Sequence, residues 1–237
     1  MQALAAPAAP GANATASGFQ LPYVVREEEA GARPESKYNG YAHSFAGMGV
    51  QFILFMGIDL GVGLLLARRL GLWKRLRAAP VSRSLLLGSR VASGALIAGL
   101  LFTIIFGAGI ALFGVRISGS VVGFVGLVIA FALMTAAFGL FIAALGKTPE
   151  TTRGLAVFAT LVLVMLGGAW VPSFIFPQWL QTASLVMPTR WAVDGFDAMT
   201  WRGLGLEAAW APIVVLLAFA LVLGVFAVWR FDWDDPA

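Results

Sequence analysis

Ala67-Arg68-Arg69-Leu70-Gly71-Leu72-Trp73-Lys74-Arg75-Leu76-Arg77-Ala78-Ala79-Pro80-Val81-Ser82-Arg83 is a strongly basic stretch without a single acid. It separates two long apolar segments, at 43–66 and 91–113, and that contrast decides the fold class. A run of about 20 apolar residues, coiled as a helix, crosses the ~30 Å hydrocarbon layer. Basic residues between two such runs stay on the cytoplasmic side. Further apolar segments follow at 120–145, 154–171 and 208–229. Inside hydrocarbon every backbone N–H and C=O must be paired within the protein, so each segment is read as a helix.

Composition agrees. The chain is 59% hydrophobic and 12% charged, with a mean hydropathy of +0.87. Soluble domains sit nearer 45–50% apolar and about 25% charged. The predicted class is all-α: a polytopic membrane protein with about five transmembrane helices. No cysteine is present, which removes disulfides, thiolate metal sites and a cysteine nucleophile. His43 is the sole histidine, so a histidine metal site or catalytic dyad is not expected. The net charge of +4 needs no nucleic acid partner, because seven of the sixteen basic residues lie in the loop 67–90.

The charge pattern also sets an orientation. With 67–90 in the cytoplasm, 146–153 and the C-terminus are also inside, and residues 1–42 and 172–207 are outside. Trp170, Trp179, Trp191, Trp201 and Trp210 gather around the outer connection, and Trp73, Trp229 and Trp233 near the inner face. Residues 1–42 are polar, with Glu27-Glu28-Glu29 and no signal-peptide pattern. An external head with nothing to direct its export asks for a preceding helix.

Four features are candidates for function. Around Gly71–Ala79 the basic loop plots as a short helix, with Leu72, Trp73, Leu76 and Ala79 on one face and Pro80 ending it. Either it is a topogenic interfacial helix or it docks into a partner. Asp59 is the only formal charge within the apolar segments. It lines a pathway, binds a cation or proton, or is a packing acid satisfied by a neighbouring helix. Gly57 and Gly61 form a small-xxx-small pair around it, suited to close helix approach. Pro172, Pro177 and Pro188 interrupt the segment 172–207. That segment reads as a re-entrant element capping a pathway or as a surface loop, with Asp194 and Asp197 either solvated or helping to close the exit. Gly146-Lys147-Thr148 is no phosphate loop, since Phe141 stands where the first glycine is required.

The basic stretch resembles the coupling-helix region of type-2 ABC transporter permeases, of the bacterial multidrug/daunorubicin-resistance kind. Arg68, Gly71, Arg75, Leu76, Pro80, Val81, Ser82 and Arg83 match that pattern. Ala67 stands where the family commonly has an acid, and Leu72 where threonine is common. Leu166-Gly167-Gly168-Ala169-Trp170-Val171-Pro172, Phe176-Pro177 and Met187-Pro188-Thr189-Arg190-Trp191 resemble the family's outer re-entrant region. The likeness runs from about Tyr41 onward. It implies a permease subunit in a bacterial plasma membrane, exporting a drug, lipid, glycan or ion. It also implies a second permease copy and a separate ATP-binding subunit, so that ATP sits on the partner and no cofactor on this chain. Coupling to that partner would use Arg68, Arg69, Gly71, Trp73, Arg75, Leu76 and Pro80. The pathway and outer gate would use Asp59, Pro172, Pro188, Trp191 and Asp194. Members have six helices with an outer domain after the first, so this chain would correspond to the last five, with 1–42 the tail of that domain. The rival readings are a secondary transporter coupled through Asp59, and an inactive or truncated membrane subunit.

Overall fold

The computed structural model describes residues 38–71 and 83–230. Among them all regular structure is helical. Five long helices, α1 (Gly40–Arg69), α2 (Arg83–Phe113), α3 (Val121–Leu145), α4 (Pro149–Leu166) and a last one, Glu207–Arg230, are each long and apolar enough to cross a membrane. Between α4 and the last lie a 3-10 turn (Ser173–Ile175) and two short helices, α5 (Gln178–Ser184) and α6 (Pro188–Met199). The last long helix is then α7.

Local chemistry explains the ends. The Asn39 side chain accepts a hydrogen bond from the Ala42 N–H at 3.1 Å and so caps α1. Ser120 caps α3 through the Gly123 N–H at 3.1 Å, and Thr148 precedes Pro149, which occupies the first turn of α4. α1 stops at Leu70, followed by Gly71 in the left-handed region with φ 69°. Glycine enters that region without a Cβ penalty. Arg68 and Arg69 fill the last turn of α1, where the helix dipole favours cations.

α3 is apolar on every side and forms the centre of the bundle, packed by α1, α2 and α7. Contacts fix the directions. Gly109 approaches Phe45 and Gly94 approaches Leu60, so α1 and α2 are antiparallel. Gly57 meets Thr135 and Gly61 meets Gly139, so α1 and α3 are parallel. One end of the bundle therefore carries His43 and the short helices, and the other carries Arg69, Leu145 and Pro149. α6 is held firmly at the His43 end. Phe196 is fully buried, stacked on Phe102 at 4.4 Å between ring centroids, with Phe106, Phe124 and Phe131 around it. The connector between α2 and α3 donates from the Ser118 and Gly119 N–H groups to the carbonyls of Thr200 and Met199.

Several boundaries differ from the hydropathy reading. The segment read as 91–113 is the far part of α2, which begins at Arg83. The segment read as 154–171 is a helix at Pro149–Leu166, closed by Gly167 and by Gly168 with φ 83°. Hydropathy marks where the chain meets hydrocarbon, and helices run on past it. The loop read as 67–90 accordingly contributes 67–69 to α1 and 83–90 to α2; Trp73, Arg75, Leu76 and Pro80 lie outside the described residues. Within 172–207 the prolines initiate helices: Pro172 and Pro177 stand at the cap positions of the 3-10 turn and α5, and Pro188 opens α6. A missing N–H costs nothing in a first turn.

Candidate functional site

At one end of α1, His43 Nδ1 lies 2.7 Å from Asp197 Oδ2 on α6. The two residues are 3% and 5% exposed, so this is a buried pair. His43 Nε2 and Asp197 Oδ1 have no hydrogen-bond partner, and neither does the buried Nε1 of Trp201. Tyr38 packs edge-on against Trp201, with ring centroids 5.3 Å apart, and covers His43. Asp197 is therefore buried rather than solvated. Its neighbour Asp194 lies 2.7 Å from Arg190 Nε and accepts a hydrogen bond from Ser173 Oγ at 3.0 Å. Burial pushes the Asp194 carboxyl above the ordinary carboxylate range, against the Arg190 guanidinium and the Ser173 hydroxyl, which pull it down.

More bonds tie the short helices to the bundle. The Trp170 indole donates to Gln51 Oε1 on α1 at 2.6 Å, and Thr189 Oγ1 donates to the Leu163 carbonyl of α4 at 2.6 Å. The Trp191 indole donates to the Leu185 carbonyl at 2.8 Å and so braces α5 against α6. Pro172 and Pro188 are the corners of this assembly, each starting a helical turn. Gly47 lies against the Ala169 carbonyl so closely that any Cβ there would overlap it.

In the middle of α1, Gly57 and Gly61 make the closest helix crossing. A Cβ on Gly61 would overlap the Gly139 carbonyl, and a Cβ on Gly139 would overlap the Gly57 carbonyl. The contact is reciprocal, backbone against backbone. Between these two glycines stands Asp59, whose Oδ1 lies 2.6 Å from an Arg153 guanidinium nitrogen on α4. The sequence reading assigned Arg153 to a loop; it lies inside α4 and reaches back along the helix. The partner of Asp59 is thus a cation on a neighbouring helix. Both side chains remain more than half exposed, at 57% and 59%.

At the far end of α1, Arg69 lies 3.1 Å from Glu150 in the first turn of α4. The paired residues Asp59–Arg153 and Arg69–Glu150 tie α1 to α4 twice. Gly71 turns the chain into the basic stretch that carries the remaining coupling candidates. Arg68 and Arg69 thus sit on the end of α1 itself.

The sequence profile described as ABC-2 type transporter matches residues 19–201, which include α1 to α6 and the basic stretch between α1 and α2. The chain belongs to the ABC-2 type transporter family. Among curated ABC-2 relatives, the linearmycin resistance permease protein LnrN of Bacillus subtilis is 27% identical over 202 residues, covering 85% of this chain and 52% of LnrN. The inner membrane transport permease YhhJ of Escherichia coli is 34% identical over 77 residues, covering 32% of this chain and 21% of YhhJ. The chain thus spans about half the length of LnrN and about a fifth of YhhJ. No solved structure matches the chain. Family membership agrees with the five helices long and apolar enough to cross a membrane, as in a multi-pass membrane protein.

Proposed function

We propose that this ABC-2 chain is the permease subunit of an ATP-driven exporter in a bacterial plasma membrane. A separate ATP-binding subunit supplies the energy, and a second permease copy completes the route. The Arg69 end faces the cytoplasm and the His43 end faces outward, as the basic stretch favours. LnrN, named as a resistance permease, supports export as the direction.

The observation that carries the reading is the course of α1. It is one unbroken helix of 30 residues, about 45 Å long at 1.5 Å per residue. One end enters the basic stretch. The other is locked to α6 through His43 and Asp197. Its backbone-to-backbone crossing with α3, at Gly57, Gly61 and Gly139, lies between the two. A helix held at a central crossing behaves as a lever. Displacement of the basic stretch by the ATPase swings the outward end the other way, and α6 follows or releases.

The Asp59–Arg153 pair fits the same reading. Asp59 stands ten residues from Arg69, about 15 Å along the helix. Bare hydrocarbon solvates ionised side chains poorly at such depth. We therefore assign the α1–α4 face to a water-containing route, with the second copy across it.

The test is coupling. The full complex, reconstituted with its ATPase, is assayed for ATP hydrolysis and for substrate export, with Arg75→Glu as the perturbation. Insertion and ATPase binding persist while hydrolysis no longer drives export. Normal export by the Arg75→Glu protein would count against docking at the basic stretch.

A further inference from the structure

A cavity of about 250 Å³ opens between α1, α2 and α3. Asp59 stands at its deep end, Gly61, Gly63 and Gly139 form its wall, and Arg90 stands at its shallow end with Ala67. Asp59 and Ala67 are eight residues apart, about 12 Å along α1. The cavity therefore runs along the helix through the half of the membrane nearest the basic stretch.

Its chemistry is lopsided. Asp59 is already paired with Arg153. Among the described residues Arg90 makes no ion pair, and Glu150, the acid at that end of α4, is engaged by Arg69. The charged side chain lining the shallow end is therefore a cation, Arg90. The rest of the lining is small or aliphatic. At ~30 Å³ per water-sized unit the cavity accommodates roughly eight such units, which is below the ~300 Å³ of the smallest drug-sized pockets. The start of a single alkyl chain fits that size.

We propose that this cavity binds an anionic phospholipid of the adjoining leaflet, its phosphate on Arg90 and the start of one acyl chain along Gly63 and Gly139 towards Asp59. Basic side chains at the ends of spanning helices attract anionic headgroups, and the groove beside Arg90 gives the chain a place that lipid-facing helix surface does not. The inference does not rest on the export reading, since lipid binding is measured without ATP.

The experiment uses the full chain purified in mild detergent, stripped of lipid, and offered phosphatidylglycerol or phosphatidylcholine with identical chains. Retained lipid is counted by native mass spectrometry. The unaltered protein retains phosphatidylglycerol about fivefold better, the effect of one basic contact at a membrane surface. Arg90→Gln abolishes the preference. Gly63→Leu, which narrows the cavity, lowers retention of both lipids; a Cβ at Gly63 meets nothing within 4 Å, so the backbone there has room for a side chain. Arg116→Gln, on the connector between α2 and α3 at the opposite end, leaves the preference intact. Equal retention of the two lipids by the unaltered protein overturns the proposal. So does a preference that survives Arg90→Gln, retention untouched by Gly63→Leu, or loss of the preference in Arg116→Gln, which would make it a matter of net charge alone.

Discussion

Replacing His43 with alanine removes the one hydrogen-bond partner of a buried carboxylate. Asp197 is 5% exposed. Its Oδ1 has no partner, and its Oδ2 has only His43 Nδ1 at 2.7 Å. Stripping one member from a buried pair costs about 3–5 kcal/mol, because the remaining group stays buried and unmatched. The fold need not absorb this globally. The cheaper response is for α6 to leave the bundle far enough to wet Asp197. At ~1.4 kcal/mol per tenfold, the open population of α6 rises by roughly two to three orders of magnitude. The chain has no cysteine, so a single reporter thiol is unambiguous. Ser184→Cys is nearly isosteric at a site 1% exposed, beside the start of α6. Its labelling by a membrane-impermeant maleimide reads the opening. His43→Ala accelerates labelling by about a hundredfold or more. Adding Asp197→Ala removes the stranded carboxylate and slows labelling again. Unchanged labelling in His43→Ala would refute the latch. So would a double variant as fast as the single one, because the stranded charge would then not be the cause.

Other substitutions probe the rest of the lever. Gly61→Val drives side-chain atoms into the Gly139 carbonyl and lowers stability by about 1–3 kcal/mol in a denaturant titration, as overpacking does. Gly63→Ala, with open space around its Cβ, stays within ~0.5 kcal/mol of the parent in the same titration. Asp59→Asn changes stability by less than about 1 kcal/mol, since the pair is more than half exposed. Export falls nonetheless if that face lines the route, and the charge swap Asp59→Arg with Arg153→Asp restores it; equal export by all three proteins would detach the pair from the route. Asp194 has a pH signature. Its folded-state pKa is raised by burial, so its contribution to stability is fully present below the ordinary carboxylate value of ~3.9 and is lost as pH rises through the raised value. Melting curves of the parent and of Asp194→Asn therefore diverge across that window, the parent losing the stability that the amide does not titrate; parallel curves would show that Asp194 is not titrating there.

What the sequence disclosed follows the range of the forces involved. The apolar runs were legible because hydrocarbon imposes one requirement on every residue it touches, and that requirement survives averaging over twenty positions. Helix ends were less legible, because capping depends on one or two residues. Thr148-Pro149 is a start signal, yet a hydropathy window dilutes it, and α4 was read five residues late. Arg153 was lost to a loop by the same shift, and with it the partner of Asp59. The Gly57/Gly61 pair announced a close approach, because its spacing lies within one helix; Gly139, which completes it, is 78 residues beyond Gly61 and carries no mark of its own. His43 is the sharpest case. A lone histidine argued against a metal site or a dyad, and its partner is a carboxylate 154 residues away. Phe196, next to that carboxylate, lies in the segment read as external, and it is buried among four phenylalanines from α2 and α3. Both belong to α6, a helix whose apolar and charged residues alternate too closely to read as a span. Its Phe196 ring enters the core while Asp197 meets α1, and that division is what allows a segment outside the five spans to hold the His43 end of α1.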